Sequence, residues 1–306
     1  MKRGTKTGAI IGAAAAMTQS VAHARQKKTP VNGHTDPSKY RKVSKAHGGA
    51  GELPFMELLN HEVFDSNFLF VHRAELPPKT GIGEHVHRHM EEMYFIFNGV
   101  AQFTVDGKTA ELAGPCCVLC PRGSSHGIYN NSDETLQWLN VAVSDVKGKG
   151  DAVDLGNDLT DMKIVSPTPF LWTPIANDLL RPVSKAHRGK GIVMFKRLWW
   201  EETYKTDWIF TDHCLLAPDT SIGYHQHNTI EEIYYIVSGT GYMTVNDHTF
   251  AVGPGDAVPC TLHDSHGLYN NGSEDILLIV NACRGRGDGL SPPKEWDDDL
   301  SGHKIK

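Results

Sequence analysis

The sequence predicts an all-β chain built as two tandem barrels. Three features lead to that class. The chain repeats itself at an offset of 140 residues. Each copy consists of short β-branched and aromatic runs punctuated by Gly and Pro, and long helical periodicity is missing. The 306 residues are about twice the usual domain length of ~100–150, as one domain written twice would be. Apolar residues at 40% and charged residues at 22% exclude wholesale disorder. Thirty basic against thirty-six acidic residues, a net charge of −6, argue against a nucleic-acid or anionic-membrane partner. The unusual count is histidine, at 17, and its placement carries the functional argument.

The chain opens with a segment of its own. Lys2, Arg3 and Lys6 form a basic head, Gly8 to Met17 an apolar stretch, and Ala22-His23-Ala24 a small-x-small cleavage site. Residues 1–24 read as an export signal, which places the protein in a periplasm or outside the cell. The apolar stretch is shorter than the ~20 residues that span a bilayer, and no other segment is apolar enough, so no membrane partner is expected. Loss of the three basic residues takes the net charge from −6 to −9. Cys116, Cys117 and Cys120 crowd together while Cys214, Cys260 and Cys283 are scattered. That placement favours small buried hydrophobes over a disulfide framework.

The two copies come next. Val43-Ser44-Lys45-Ala46-His47 recurs as Val183-Ser184-Lys185-Ala186-His187, and between Thr80–Asn131 and Thr220–Asn271, 21 of 52 positions are identical without an insertion. A period of 140 is far beyond solenoid repeats and marks a duplicated domain. The first copy is expected over 40–160 and the second over 183–300, joined by a linker at 161–182 that holds Ser166, Pro167, Pro169 and Pro174. Strands are expected at Gln102 to Val105, Val118 to Cys120, Leu136 to Val143, Phe195 to Trp200 and Ile276 to Asn281. The paired arms carrying His47 and His187 are expected to pack on their barrels, with reach into a pocket or a cap over it as the alternative. Trp199, Trp200 and Trp208 are expected in a core or between domains.

The histidines fall into two matched constellations. His85-x-His87-x4-Glu92-x6-Gly99 is followed by His126; His225-x-His227-x4-Glu232-x6-Gly239 is followed by His266. Residues two apart on a strand point to one face, so His85 and His87 can grip one ion together, as can His225 and His227. Glu92 has the wrong parity for the same strand, so a bend at 88–91 is expected to bring it back on a neighbouring strand. Glu92, Tyr94 and Ile96 share a face that recurs as Glu232, Tyr234 and Ile236, which favours Glu92 and Glu232 as ligands over Glu91 and Glu231. Three imidazoles and one carboxylate suit one Mn, Fe, Cu, Ni or Zn ion per barrel better than Ca or Mg. Tyr94, Tyr234, Tyr129, Tyr269, Asn130, Asn270, Glu91 and Glu231 are expected to support these ligands from behind.

This doubled pattern resembles the cupin superfamily, in its two-domain bicupin form with the four-residue gap of germin-like members. The leading Gly of the family's first motif is absent from its usual place, with Gly83 and Gly223 nearer the His pair. Pro115 replaces the first Gly of its second motif, and in the second copy Thr261 and His263 stand for later Pro and Gly. These departures touch turns and leave every ligand position filled. The resemblance implies that each copy is a jelly-roll barrel, a double-stranded β-helix, holding one divalent metal. It also implies two open metal positions for a bidentate substrate, or for a substrate beside O₂. The expected function is therefore a metal-dependent oxidoreductase, of dioxygenase or decarboxylase type, on a small organic acid, diketone or aromatic. A non-redox lyase or isomerase on a sugar acid, and a metal- or sugar-binding protein without catalysis, stay open. No Glu-bearing lid like that of oxalate decarboxylases is evident, so oxalate is not named. Catalytic residues are not assigned, and homo-oligomerisation is left open.

Overall fold

The computed structural model describes residues 32–285 and 289–305; residues 1–24, read above as an export signal, lie outside them. Each copy folds as a two-sheet β-barrel, the jelly roll expected. The first barrel's larger sheet has seven strands in the order Trp172–Pro174, Cys116–Cys120, Met90–Ile96, Leu136–Ser144, Phe68–Leu76, Glu52–Asn60, Arg41–Ser44. Its smaller sheet orders Val153–Asp154, Gly81–Val86, Ser125–Tyr129, Val100–Val105, Lys108–Ala113. The second barrel repeats both layers. Every pairing within the sheets is antiparallel, and side chains therefore alternate between barrel interior and outer face.

The alternation separates three large cores, beside a small cluster of Leu69, Met90 and Ala142. Inward residues of the first barrel, including Tyr94, Ile96, Phe103, Ile128 and Trp138, form one cluster. Tyr234, Ile236, Met243 and Leu268 belong to its counterpart in the second. The outward residues of the two large sheets pack on each other: Met93, Phe95, Leu139 and Val141 meet Trp208, Ile233, Tyr235 and Ile279. Full burial of such side chains contributes roughly 1.5–3 kcal/mol each, so this third core joins the barrels firmly. Trp208 lies wholly within it, and Trp199 donates from Nε1 to Cys117 Sγ across it (3.2 Å), whereas Trp200 is exposed. All six cysteines are free and buried.

Two features differ from the sequence reading. The tract at 161–182 is more than a connector, because Trp172–Pro174 pairs with Cys116–Cys120 at the edge of the first barrel's sheet. Gly33–His34 occupies the matching edge of the second barrel, beside Asp256–Cys260. Each barrel thus receives an edge strand from the segment leading into the other, which covers sheet edges that would otherwise be open.

Glu91 and Glu231 correct the other expectation. They do not support the metal ligands. Both point out of their barrels and are fully buried between them. The Glu91 carboxylate accepts from Lys205 N (2.9 Å), Thr206 N (2.8 Å) and Thr206 Oγ1 (2.6 Å). The Glu231 carboxylate accepts from Asp65 N (3.0 Å) and Ser66 N (2.8 Å) of the first barrel, and from Leu262 N (3.0 Å) of its own. Strand parity explains this: the residue beside an inward ligand must face outward.

Candidate metal centres

The ligating atoms of His85, His87, Glu92 and His126 lie within 4.8 Å of one another, as do those of His225, His227, Glu232 and His266. His85 is the penultimate residue of the strand Gly81–Val86 and His87 lies just past its end; His126 is paired beside His85 on the strand Ser125–Tyr129. Glu92 sits on Met90–Ile96 in the other sheet. The chain bend therefore carries the carboxylate to the facing sheet, not to a neighbouring strand, and the four groups close on a point inside the barrel.

Hydrogen bonds set the direction of the lone pairs. His85 Nδ1 is 2.8 Å from Gly83 O, and His87 Nδ1 bonds Asp151 O. A carbonyl only accepts, so both rings carry their proton on Nδ1 and present a bare Nε2. Those two nitrogens face each other at 3.1 Å, and the Glu92 Oε2 atom is 3.3 Å from His87 Nε2 and 2.7 Å from His126 Nε2. In the second barrel His225 Nδ1 bonds Gly223 O (2.9 Å), and the Nε2 atoms of His225 and His227 are buried without a hydrogen-bond partner among the described residues. Glu232 Oε2 is 2.8 Å from His266 Nε2 and 3.9 Å from His225 Nε2; Glu232 Oε1 is 3.6 Å from His227 Nε2. Converging lone pairs beside a buried carboxylate repel one another unless a cation lies among them. These donor sets fit a divalent transition metal.

Protonation favours the same reading. Burial pushes His85 down to about 3 and His227 down to about 4, and drives His225 well below its ordinary value. Burial works against the charge of Glu92, yet His87 and His126 outweigh it and hold that carboxyl well below the usual range. Glu232 behaves alike under His227 and His266. His87 is the exception: burial opposes its charge, but Glu92 raises it. Neutral imidazoles at His85, His225 and His227 beside an ionised carboxylate favour acceptance of a metal.

The supporting groups only partly match expectation. Tyr94 OH donates to Glu92 Oε2 (3.1 Å), and Tyr234 packs edge-on against His266 at 5.6 Å. Tyr129 alternates away from His126, against the backbone near Gly81, and Tyr269 OH donates to Asp219 in a surface loop (2.7 Å). Asn130 donates to Leu76 O and Glu134 O, and Asn270 to Leu216 O and Glu274 O. These four close turns at the far end of their strand and do not touch the ligands.

One supporting residue was not singled out from sequence. Asn140 donates from Nδ2 to Glu92 Oε1 (2.9 Å); the second barrel has Val280 in its place. Its only sequence signal is parity with Trp138 and Ala142. The arm histidines do more than pack. His47 stacks on His85 at 3.9 Å and 11°, and His187 on His225 at 3.8 Å and 7°. Asp154 holds His47 Nδ1 (2.7 Å) and Glu295 holds His187 Nδ1 (2.9 Å). The arm can lie this close because a Cβ on Gly83 would stand 2.2 Å from His47 O, and one on Gly223 would stand 2.2 Å from His187 O. Lys45, His47, Lys185 and His187 all adopt left-handed backbone, at φ of 52°, 49°, 51° and 49°. For such residues that conformation costs about 1–2 kcal/mol each, met here by the packing of the arm.

Paired β-barrels, each enclosing three histidines and a glutamate, define a two-domain protein with metal-site-like pockets. The chain belongs to the cupin family: the Cupin domain matches residues 72–142 and 212–281. It is 32% identical over 103 residues to an oxalate-binding protein of Thermotoga maritima, spanning 33% of this chain and 84% of that protein. It is 29% identical over 75 residues to a 5-nitrosalicylic acid 1,2-dioxygenase of Bradyrhizobium, covering 24% of this chain and only 36% of that enzyme. Among solved structures, oxalate decarboxylase from Bacillus subtilis at pH 4.6 superposes with a TM-score of 0.59 at 16% identity, over 88% of this chain and 79% of that one. A further structure of that decarboxylase addresses its Mn(II) centres, with a TM-score of 0.58, 16% identity, and coverage of 88% and 80%. At such identity these two likenesses concern the fold.

Proposed function

We propose that the chain is an exported, metal-dependent enzyme acting on small organic acids by decarboxylase- or dioxygenase-type chemistry. The observation that carries this reading is the pair of buried three-histidine, one-glutamate sets with their lone pairs turned inward. The named relatives support the substrate class, since one binds oxalate and another oxidises a nitrosalicylic acid. Mn(II) is the first metal to test, on the precedent of the decarboxylase fold. When bound, such a metal supplies Lewis acidity and, for Mn or Fe, one-electron chemistry.

The chain's own residues supply the rest. Gly83 O and Asp151 O hold His85 and His87 in the tautomer that points Nε2 inward. Asn140 and Tyr94 fix the Glu92 carboxylate. The stacked His47 ring covers one face of His85 and restricts its rotation. Apolar side chains such as Phe103, Ile128 and Val118 line the interior behind the ligands and exclude water there.

The test is to load purified protein anaerobically with Mn(II) or Fe(II) and supply oxalate, malonate, salicylate, catechol or a β-diketone. Oxygen uptake or CO₂ release with at least one acid is expected; loaded protein inert to the whole panel overturns the enzymatic reading. Export is tested separately. When the chain is made with its first 24 residues in a secreting host, mature protein beginning at Arg25 is expected. An intact Met1 start in the cytoplasm contradicts it.

A further inference from the structure

The two barrels carry the same ligands but opposite charges on one stretch of inner wall. Counted from the repeat, Glu57 corresponds to Arg197, His72 to Asp212, Phe55 to Phe195 and Phe70 to Phe210. Strand register confirms the equivalence: Glu57 pairs with His72 as Arg197 pairs with Asp212. His72 is in turn opposite Asn140, and Asp212 opposite Val280. Phe70 and Phe210 pair with Ala142 and Ala282, which also pair with the ligands Glu92 and Glu232. These inner-wall positions thus flank the rung on which the metal-site carboxylate sits.

In the second barrel the arrangement is a mounted guanidinium. Arg197 donates from Nε to Asp212 Oδ1 (2.8 Å) and from Nη2 to Asp212 Oδ2 (3.0 Å). Its Cζ lies 4.1 Å from the Phe210 ring centre and 4.7 Å from that of Trp200, so the fork is held on its edge and against aromatic faces. Asp212 is buried, with 7% of its side chain exposed, while Arg197 keeps 23% exposed. Glu232 is among the charges that act on both members of the pair, which places them in the electrostatic field of the metal site. The bidentate bond uses Nε and Nη2 and, among the described residues, leaves the Nη1 hydrogens for another acceptor. In the first barrel the same wall offers Glu57, 3.6 Å from His72, with His72 stacked on Phe70 at 3.9 Å and 4°. An acceptor stands there where the second barrel has a donor fork.

We infer that the barrels differ in ligand class: Arg197 anchors the carboxylate of a small organic acid in the second barrel, while Glu57 turns carboxylates away from the first. This deepens the proposed function and rests on it, because the anchored molecule is taken to reach the second metal centre. Asp212 acts as a positioning residue that aims the fork, and Phe210 and Trp200 keep it from swinging out. Arg197 and the ligand carboxylate form a donor–acceptor match of the kind that favours bidentate recognition.

The experiment is calorimetric titration of the full chain, loaded with Mn(II), using benzoate and its neutral analogue benzamide. Benzoate is expected to bind at least tenfold more tightly than benzamide, and Arg197→Met to weaken benzoate at least tenfold without changing benzamide. Arg197→Lys keeps charge but not the fork, and an intermediate loss is expected. Because Arg197→Met strands a buried carboxylate, Arg197→Met/Asp212→Leu, which removes both partners, is titrated beside it with its melting curve. The same loss of benzoate from that folded double variant supports the anchor. Wild-type affinity in both variants, equal binding of benzamide, or no benzoate binding by metal-loaded protein overturns it. Metal content of the same samples distinguishes the two ideas: metal present without Arg197-dependent binding overturns the anchor alone, and absence of metal overturns the function it rests on as well.

Discussion

Set side by side, the two barrels share their metal ligands and diverge just beyond them. Glu92 is held by Asn140 and Tyr94, and its distances to the ligand imidazoles His87 and His126 are 3.3 and 2.7 Å. Glu232 faces Val280 where Asn140 would be, and its distances to all three imidazoles spread from 2.8 to 3.9 Å. The inner wall carries Glu57 and His72 in one barrel and Arg197 and Asp212 in the other. Between the barrels Arg73 of the first corresponds to His213 of the second. Ligand geometry is tied to the barrel itself, through paired strands and backbone carbonyls. The wall behind it changes one side chain at a time without moving a strand. Duplication has therefore left two centres of one kind with unlike surroundings.

The largest effect expected from disturbing this comparison lies at the interface, where the barrels are most alike. Glu91→Ala leaves Lys205 N and Thr206 N without their buried acceptor, and Glu231→Ala does the same to Asp65 N, Ser66 N and Leu262 N. Each is expected to destabilise the chain by about 3 kcal/mol, as breaking a buried charge-assisted network does. Urea unfolding checks this; a loss under about 1 kcal/mol in both would show that the clasp contributes little.

A comparable but one-sided effect, confined to acid pH, belongs to His213. It is wholly buried, neither ring nitrogen has a hydrogen-bond partner among the described residues, and burial holds it down to about 4, with Lys196 adding to the effect. The unfolded chain takes up this proton near 6.5 and the folded chain near 4, so the stability it gives is complete above 6.5 and lost as pH falls through about 4. The gap between those two values corresponds to about 3 kcal/mol. His213→Leu is expected to flatten stability between pH 6.5 and 4 relative to wild type, an interval bounded by those two values. Parallel pH profiles for the two proteins would contradict that.

Least of all is the change that makes the first barrel imitate the second. Asn140→Val removes the Nδ2 bond to Glu92 Oε1. Loss of such an orienting partner is expected to weaken metal binding about tenfold in the first barrel only. Metal titration with a chelator resolves the two classes of site; an unchanged first site would mean that Tyr94 alone suffices.

These contrasts also mark what was legible in the sequence. The ligands could be picked out because parity on a strand places His85 with His87, and the same constellation occurs twice. The doubled barrel followed from the same repeat. Glu92's arrival from the facing sheet was not legible, since a bend of four residues does not say which sheet it enters. Nor was the outward reach of Glu91 to Lys205 and Thr206, a contact 114 and 115 residues away. Asn140 and Arg197 gain their meaning only from strand register. Tyr129, Tyr269, Asn130 and Asn270 misled because they sit in repeated motifs, yet what the repeat preserves there is a turn. The repeat drew attention to the arm histidines, but their stacking on His85 and His225 was hidden by conformation: nothing in Val-Ser-Lys-Ala-His announces a left-handed Lys and His.

The central claim is that each barrel holds its own metal through the four residues assigned to it. Metal per chain, measured after loading with Mn(II) and removal of free ion, tests it most directly in wild type, His126→Ala, His266→Ala and the double variant. About two, one, one and none are predicted, following the two ligand sets. Wild-type protein that retains no metal, or single variants that still hold two, would contradict the account.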